Sequence, residues 1–228
     1  MNNLELLRGV PMFAGLEDEH MRLLSASLGS QAFERGAMIF HQGSVGNTLY
    51  LIVRGQVRIY TNSQLGQEIS VMLFRDGDFF GELSLLDGHE RSASAVAMRA
   101  TTTLTLHRAA FLQAIRTYPE IAVTVLEQLS ARLRHTNTYI EHLASTSAPQ
   151  RVIRTLLDLA DQHGVLEQGT TRIDLHLTQD DLASLAGTTR ETVNRVLGGL
   201  RDQGLIHIER ARLSVLNLAQ LEMLNVEL

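Results

Sequence analysis

From about residue 30 to 108 the chain is cut by glycines (Gly36, Gly43, Gly46, Gly55, Gly66, Gly77, Gly81, Gly88) into apolar runs too short for helices, such as "TLYLIV", "QVRIY", "ISVMLF" and "TTLTL". Glycine supplies the positive φ of tight turns between antiparallel strands. Strands of this length at this spacing predict a small antiparallel barrel or jelly roll. Ahead of it, "LEDEHMRLLSASL" places Leu16, Met21, Leu23, Leu24 and Leu28 at roughly helical intervals and predicts a short amphipathic helix.

The rhythm changes after "HRAAFLQAIRTYPE". Pro119 suits the first turn of a helix. From there Leu126, Leu129, Leu133, Thr136, Ile140 and Leu143 follow at intervals of 3, 4, 3, 4 and 3. That is the seam of a two-stranded coiled coil with one polar member, Thr136. It predicts a homodimer through a helix over 119–144; the alternative is a helix packed on its own domain. "STSAP" at 145–149 then reads as a hinge.

Residues 150–228 are mainly helical. "APQRVIRTLLDLADQHG" is one amphipathic helix, and "LTQDDLASLAGTTRETVNRVLGGLRDQGLIHIERARLSVLN" gives helix, turn, helix and a small β-ribbon. Thr178 is the N-cap of the first short helix, with Asp181 three residues on as a variant capping box. Gly187 ends that helix, and the Thr188–Thr189 pair offers a hydroxyl cap to the next. Val193, Val196, Leu197 and Leu200 then face inward. Two short helices joined in this way form a helix-turn-helix, whose second helix enters the DNA major groove. On its outer N-terminal part, Arg190 and Arg195 suit guanine O6 and N7, and Glu191 suits cytosine N4. Thr178, Gln179, Thr189 and Thr192 are short donors for phosphate oxygens, and Arg210 and Arg212 in the ribbon add cationic contacts.

Composition limits what else the chain can do. Cysteine is absent, which removes disulfides, thiolate metal sites, iron–sulfur clusters and cysteine nucleophiles. Lysine is absent too, so all 20 basic side chains are Arg. The net charge of −5 leaves DNA binding to a local Arg cluster. His41, His89, His107, His135, His142 and His163 lack metal-ligand spacing, although His135 and His142 stand seven apart on one helix. No Gly-rich phosphate loop or nucleophile elbow is present, so neither an enzyme nor a metal site is expected. No apolar run approaches the ~18 residues of a membrane span, and the N-terminus lacks the pattern of a secretory signal. The expected location is the cytoplasm, with no membrane partner.

"TTRETVNRVLGGLRDQGLI" resembles the recognition helix of the cyclic-AMP receptor protein family of bacterial transcription regulators. "TLYLIVRGQVRIY", "GDFFGELSLL", "ERSA" and "RVIRTLLDLA" fall in that family's order and spacing across nearly the whole chain. The resemblance implies an α+β chain: an N-terminal antiparallel β-roll, or jelly roll, with a long dimerisation helix, then a C-terminal winged helix-turn-helix. The expected boundaries are 1–118 for the cyclic-nucleotide-binding roll, 119–144 for the helix, 145–149 for the hinge and 150–228 for DNA binding. The family's recognition triad falls on Arg190, Glu191 and Arg195, which implies an inverted repeat of double-stranded DNA with TGTGA-like half-sites. RNA polymerase is an implied partner of an activator.

The ligand site reads as follows. A cyclic phosphate wants a charged donor, a hydroxyl and free backbone N–H groups. Arg91, Ser92 and the backbone of Gly81, Glu82, Leu83, Ser84 and Ala93 supply these, and Glu82 is an acceptor for a ribose 2′-hydroxyl. By resemblance, Gly81, Glu82, Arg91 and Ser92 are the family's positions, while Thr136 and Asn137 meet the adenine amino group, one from each subunit. Thr136 alternatively only fixes the seam's register. Arg132, one turn earlier, is placed to pair with Glu82. Cyclic AMP is the expected allosteric ligand. Rival readings are a relative answering cyclic GMP, haem or another metabolite, a relative needing no ligand, and a nucleotide-binding module without a DNA role.

Overall fold

The structure is a computed structural model describing residues 6–7, 10–13, 15–63, 66, 68–167, 169–175, 177–209 and 212–227. The chain divides into two compact units, residues 1–61 with 71–135, and residues 62–70 with 136–228.

In the first unit, α1 (Asp18–Ser25) precedes eight strands: β1 (Leu28–Phe33), β2 (Met38–Phe40), β3 (Thr48–Arg54), β4 (Gln56–Asn62), β5 (Glu68–Arg75), β6 (Phe79–Phe80), β7 (Ser94–Ala97) and β8 (Thr101–His107). They form two four-stranded sheets, ordered β1-β8-β3-β6 and β2-β7-β4-β5, with every described pairing antiparallel. A short helix, α2 (Leu83–Asp87), interrupts the roll, and α3 (Arg108–Thr117) follows it. The roll is thus the predicted jelly roll. Leu28, expected in the first helix, instead opens β1, where it pairs with Leu106. Its burial is explained equally well by a strand, and a single apolar position carries no period.

Two apolar clusters hold this unit together. One joins Phe13, Leu24, Leu49, Leu51, Leu104, Leu106 and Phe111 to Ile121 and Val125 at the start of α4 (Pro119–Ser145). The other fills the roll between the sheets with Tyr50, Ile52, Val57, Phe74, Phe80 and Ala95. Of the heptad residues, Leu129 packs on the first cluster, whereas Leu126 and Leu133 are each 62% exposed and Ile140 is 57% exposed in the single chain.

In the second unit, α4 ends at Ser145 and α5 (Ala148–His163) begins after two residues, so only Thr146 and Ser147 separate the helices. The helix start is set locally. Ser147 accepts from Gln150 N at 3.4 Å, while Ser147 N donates to Gln150 Oε1 at 2.8 Å, a capping box with proline in the first turn. There follow β9 (Gly164–Glu167), β10 (Thr170–Ile173), α6 (Gln179–Leu185), α7 (Arg190–Asp202), β11 (Ile206–Glu209), β12 (Arg212–Val215) and α8 (Leu218–Glu227). The predicted ribbon is half of a larger feature, a four-stranded antiparallel sheet ordered β11-β12-β10-β9. Leu156, Leu182, Val193, Leu197, Leu200 and Val215 are buried and form the centre of the helix-turn-helix core. No helix among the described residues is long and apolar enough to cross a membrane.

Candidate ligand site and nucleic-acid interface

The turn after β6 brings Gly81, Glu82 and Ser84 against Arg91, which lies in the segment leading into β7. Arg91 is 5% exposed, yet among the described residues no carboxylate bonds to it. Its Nη1 donates to Gly81 O at 2.6 Å and to Ser84 Oγ at 2.9 Å, and its Nη2 donates to Thr48 O at 2.7 Å. The guanidinium lies 4.2 Å from the centre of the Phe40 ring and 5.9 Å from that of Tyr50. Its Nε is buried with no hydrogen-bond partner. Burial lowers the pKa of this group below the usual guanidinium value, against the partial support of Tyr50 and Glu82. Burial likewise raises the Tyr50 phenol, with Arg91 opposing.

The surrounding backbone is tight. A Cβ at Gly46 would overlap Ser84 Oγ and stand 2.7 Å from Arg91 Nε, so only glycine lets this loop approach. Gly81 has φ +82°, and a Cβ there would meet Arg91 Nη1 at 2.6 Å.

Glu82 is 3% exposed, and its carboxylate is occupied. Arg132 Nη1 donates to Glu82 Oε1 at 2.7 Å, the pairing expected from sequence, and Arg132 Nη2 donates to Phe79 O at 2.5 Å. The Arg132 guanidinium also lies over Phe74 and Phe79, at 4.4 and 4.6 Å from the ring centres. The first part of α4 is therefore tied to the roll by the carboxylate beside Arg91. Leu83 is exposed on α2, Ser92 is exposed, and Ala93 is buried. Thr136 and Asn137 belong to the second unit, the former half-buried and the latter exposed.

The Ser84 hydroxyl accepts from Arg91, and Thr48, Phe40 and Tyr50 also surround that guanidinium; none of these contacts is read from the sequence. The continuous apolar runs of β2 and β3 mark both aromatic residues as core candidates but do not show which polar side chain they enclose.

In the second unit the helix starts are built as expected. Thr178 Oγ1 accepts from Asp181 N at 3.1 Å, and Thr178 N donates to Asp181 Oδ2 at 2.9 Å. Thr189 caps α7, its hydroxyl accepting from Thr192 N at 3.3 Å. At the start of α7, Arg190 Nε donates to Gln179 Oε1 at 3.3 Å and its Nη1 to Asp180 Oδ2 at 3.4 Å. Both partners of the Arg190–Asp180 pair are more than half exposed, and such pairs are weak and readily exchanged for other acceptors. Glu191 is fully exposed; hydrogen bonds from its own backbone N–H and from the Thr189 hydroxyl hold its carboxyl below the usual range. Arg195 is exposed on α7 and Arg212 on β12; Arg210 lies outside the described residues. Asp180, the acceptor beside Arg190, was not foreseen, because an acid in a helix's first turn is explained by the helix dipole alone.

Among the described residues no group of three His, Asp or Glu side chains could hold a metal ion.

Comparison with known proteins places these features. Residues 30–118 match the cyclic nucleotide-binding domain family, and residues 150–224 match the Crp-like helix-turn-helix domain family. The chain is 38% identical to the Cyclic AMP receptor protein of Thermus thermophilus over 95% of this chain and 97% of that one. It is 36% identical to the Global nitrogen regulator of Synechococcus elongatus over 82% of this chain and 85% of the other. Its fold matches the structure of the c-di-GMP-responsive global regulator CLP of Xanthomonas campestris with TM-score 0.78 at 25% identity, covering 88% of this chain and 100% of that one. The β-roll, the capped helix-turn-helix and this likeness along the whole chain agree: the chain belongs to the CRP/FNR family of transcription regulators, with a cyclic nucleotide-binding domain followed by a Crp-like helix-turn-helix domain.

Proposed function

We propose that this chain is a cytoplasmic, non-enzymatic, homodimeric transcription regulator whose affinity for an inverted repeat with TGTGA-like half-sites is set by cyclic AMP bound in the β-roll. The observation that carries the reading is Arg91. A guanidinium buried among Phe40 and Tyr50, with hydrogen bonds only to two main-chain carbonyls and one hydroxyl and with Nε unpartnered, is a positive charge awaiting an anion. Leaving a charge unpaired in such surroundings is costly, and a bound phosphate oxygen relieves that cost. The donor set fits a cyclic nucleotide.

Each residue then has a role. Arg91, with Ser92 and the backbone of Gly81, Leu83, Ser84 and Ala93, binds the cyclic phosphate. Glu82 accepts from the ribose 2′-hydroxyl while remaining paired with Arg132 of α4, which couples the roll to the long helix. Thr136 and Asn137, from the two subunits, contact the adenine amino group. The exposed seam of Leu126, Leu133 and Ile140 is covered by the same seam of a second copy. Arg190, Glu191 and Arg195 read bases, while Thr178, Gln179, Thr189, Thr192, Arg210 and Arg212 meet the phosphate backbone. RNA polymerase is a further partner where the regulator activates. The nucleotide shifts the DNA-binding equilibrium by its differential affinity for the two states and by no more.

A second reading keeps the DNA function and changes the ligand. Relatives at 36% and 25% identity are a Global nitrogen regulator and a c-di-GMP-responsive global regulator, which supports testing other ligands beside cyclic AMP. Calorimetry of the full chain with cyclic AMP, cyclic GMP and cyclic di-GMP, on wild type and Arg91→Ala, separates the readings. Heat with cyclic AMP, lost in Arg91→Ala, is expected. No heat with any nucleotide would sink the ligand assignment and leave the DNA function standing.

A further inference from the structure

The second unit contains a cavity of about 260 Å³ beside the recognition helix. Its deep walls are Leu156 of α5, Leu182 of α6, Leu197 of α7 and Leu213 of β12, all buried. Ile208 of β11, 39% exposed, borders it from the wing, and Thr178 and Gln179 form its polar rim at the start of α6. Among the described residues no charged side chain lines it. Close-packed interiors hold few voids larger than a water molecule. Water gains little here, because it needs two to four polar partners. Of the two at the rim, the Thr178 hydroxyl is engaged with Asp181, accepting from its N–H and donating to its carboxylate. The other, Gln179, accepts from Arg190 Nε. The side chain that borders the void also holds an arginine at the reading end of α7.

We infer that this cavity is a second ligand site, distinct from the β-roll, for a small uncharged and largely apolar molecule with at most one hydrogen-bonding group. The walls set the chemistry, since a charged ligand would lose its hydration with nothing to replace it. The size follows from volume: a dry apolar cavity of about 150 Å³ accepts benzene, so this one has room for a fused two-ring molecule. An occupant that reaches the rim competes with Arg190 for the Gln179 carboxamide and leaves the guanidinium held by the exposed Asp180 carboxylate alone, free to shift toward another acceptor. Ligand entry therefore acts on DNA recognition within the DNA-binding unit itself. The binding claim stands independently, whereas the coupling rests on Arg190 reading bases.

Indole is a suitable probe, tested by calorimetry on the full chain. Wild type gives a saturable heat. Leu197→Phe, which fills the void from below, and Ile208→Phe, which closes it from the half-exposed wing edge without disturbing the deep core, each weaken that binding by about 10-fold or more. Saturating indole changes the affinity for inverted-repeat DNA by about 5-fold or more in wild type. Gln179→Ala still binds indole, but its DNA affinity no longer responds. Absence of heat with wild type overturns the site, as does equal heat in wild type and Ile208→Phe. Indole binding with unchanged DNA affinity in wild type overturns the coupling, and loss of DNA binding by every variant with or without indole would instead indict the base-reading role of α7.

Discussion

Arg91 combines two properties that seldom coexist: it is 5% exposed, and no carboxylate bonds to it. Removing the charge relieves the cost of burying it but leaves the Gly81 and Thr48 carbonyls without their donor, and the two effects oppose one another. Arg91→Met should therefore move the thermal midpoint little while weakening the cyclic nucleotide by about 100-fold or more, the worth of two charge-assisted hydrogen bonds; a scanning calorimetry trace and a binding isotherm read the two effects separately. Gly46→Ala makes the complementary test. Its Cβ would meet Ser84 Oγ and Arg91 Nε, so the guanidinium must move, and nucleotide affinity should fall although no ligand contact is removed. Unchanged affinity in Gly46→Ala would show that the position of Arg91 is not critical. At this scale the sequence was readable where chemistry is rare. An Arg, a Ser and an acid between glycines stand out at residues 81–93. Phe40 and Tyr50 did not, because an aromatic side chain in an apolar strand looks the same whether it packs on a methyl group or a guanidinium.

At the scale of elements, the recognition helix depends on its start. Thr189 caps it, and Thr178 caps the helix that carries Gln179 and Asp180. Thr178→Ala should destabilise the second unit by about 1 kcal/mol, seen as a lower melting midpoint, and should weaken DNA binding on all sequences alike. Arg190→Ala should act differently, costing ~1–3 kcal/mol at one base position of each half-site and relaxing preference there. Equal weakening across a panel of half-site variants would contradict a base-reading role. Helix-turn-helix geometry was legible because caps, a Gly-containing turn and a 3.6-residue apolar period coincide within one stretch. The sheet beneath it was only half legible. β9 and β10 are four residues each, and their "GVLE" and "TTRI" segments carry too little alternation to be told from loop; they become strands by pairing with each other and with β12.

For the whole molecule, the unresolved question in a single chain is what covers the long helix. Leu126, Leu133 and Ile140 are more than half exposed at heptad spacing, whereas Leu129, between them, packs on its own roll. Leu133→Glu should shift the sedimentation of the full chain toward monomer and lower its affinity for an inverted repeat far more than for a single half-site; a dimer that persists would remove the seam from the account. The heptad was visible in the sequence, but the packing of Ile121 and Val125 with Phe13, Leu49 and Phe111 was not, because a helix that buries one set of apolar positions and exposes another displays both at once.

The central claim joins the two ends of the chain: occupancy beside Arg91 sets the grip of α7 on DNA. Its most direct test is the affinity of the full-length protein for an inverted repeat with TGTGA-like half-sites, titrated with cyclic AMP, for wild type and Arg91→Met side by side. The account predicts that cyclic AMP tightens wild-type binding by about 10- to 100-fold and leaves Arg91→Met at its unliganded affinity. Wild-type affinity that ignores the nucleotide, or an equal response in Arg91→Met, would contradict it.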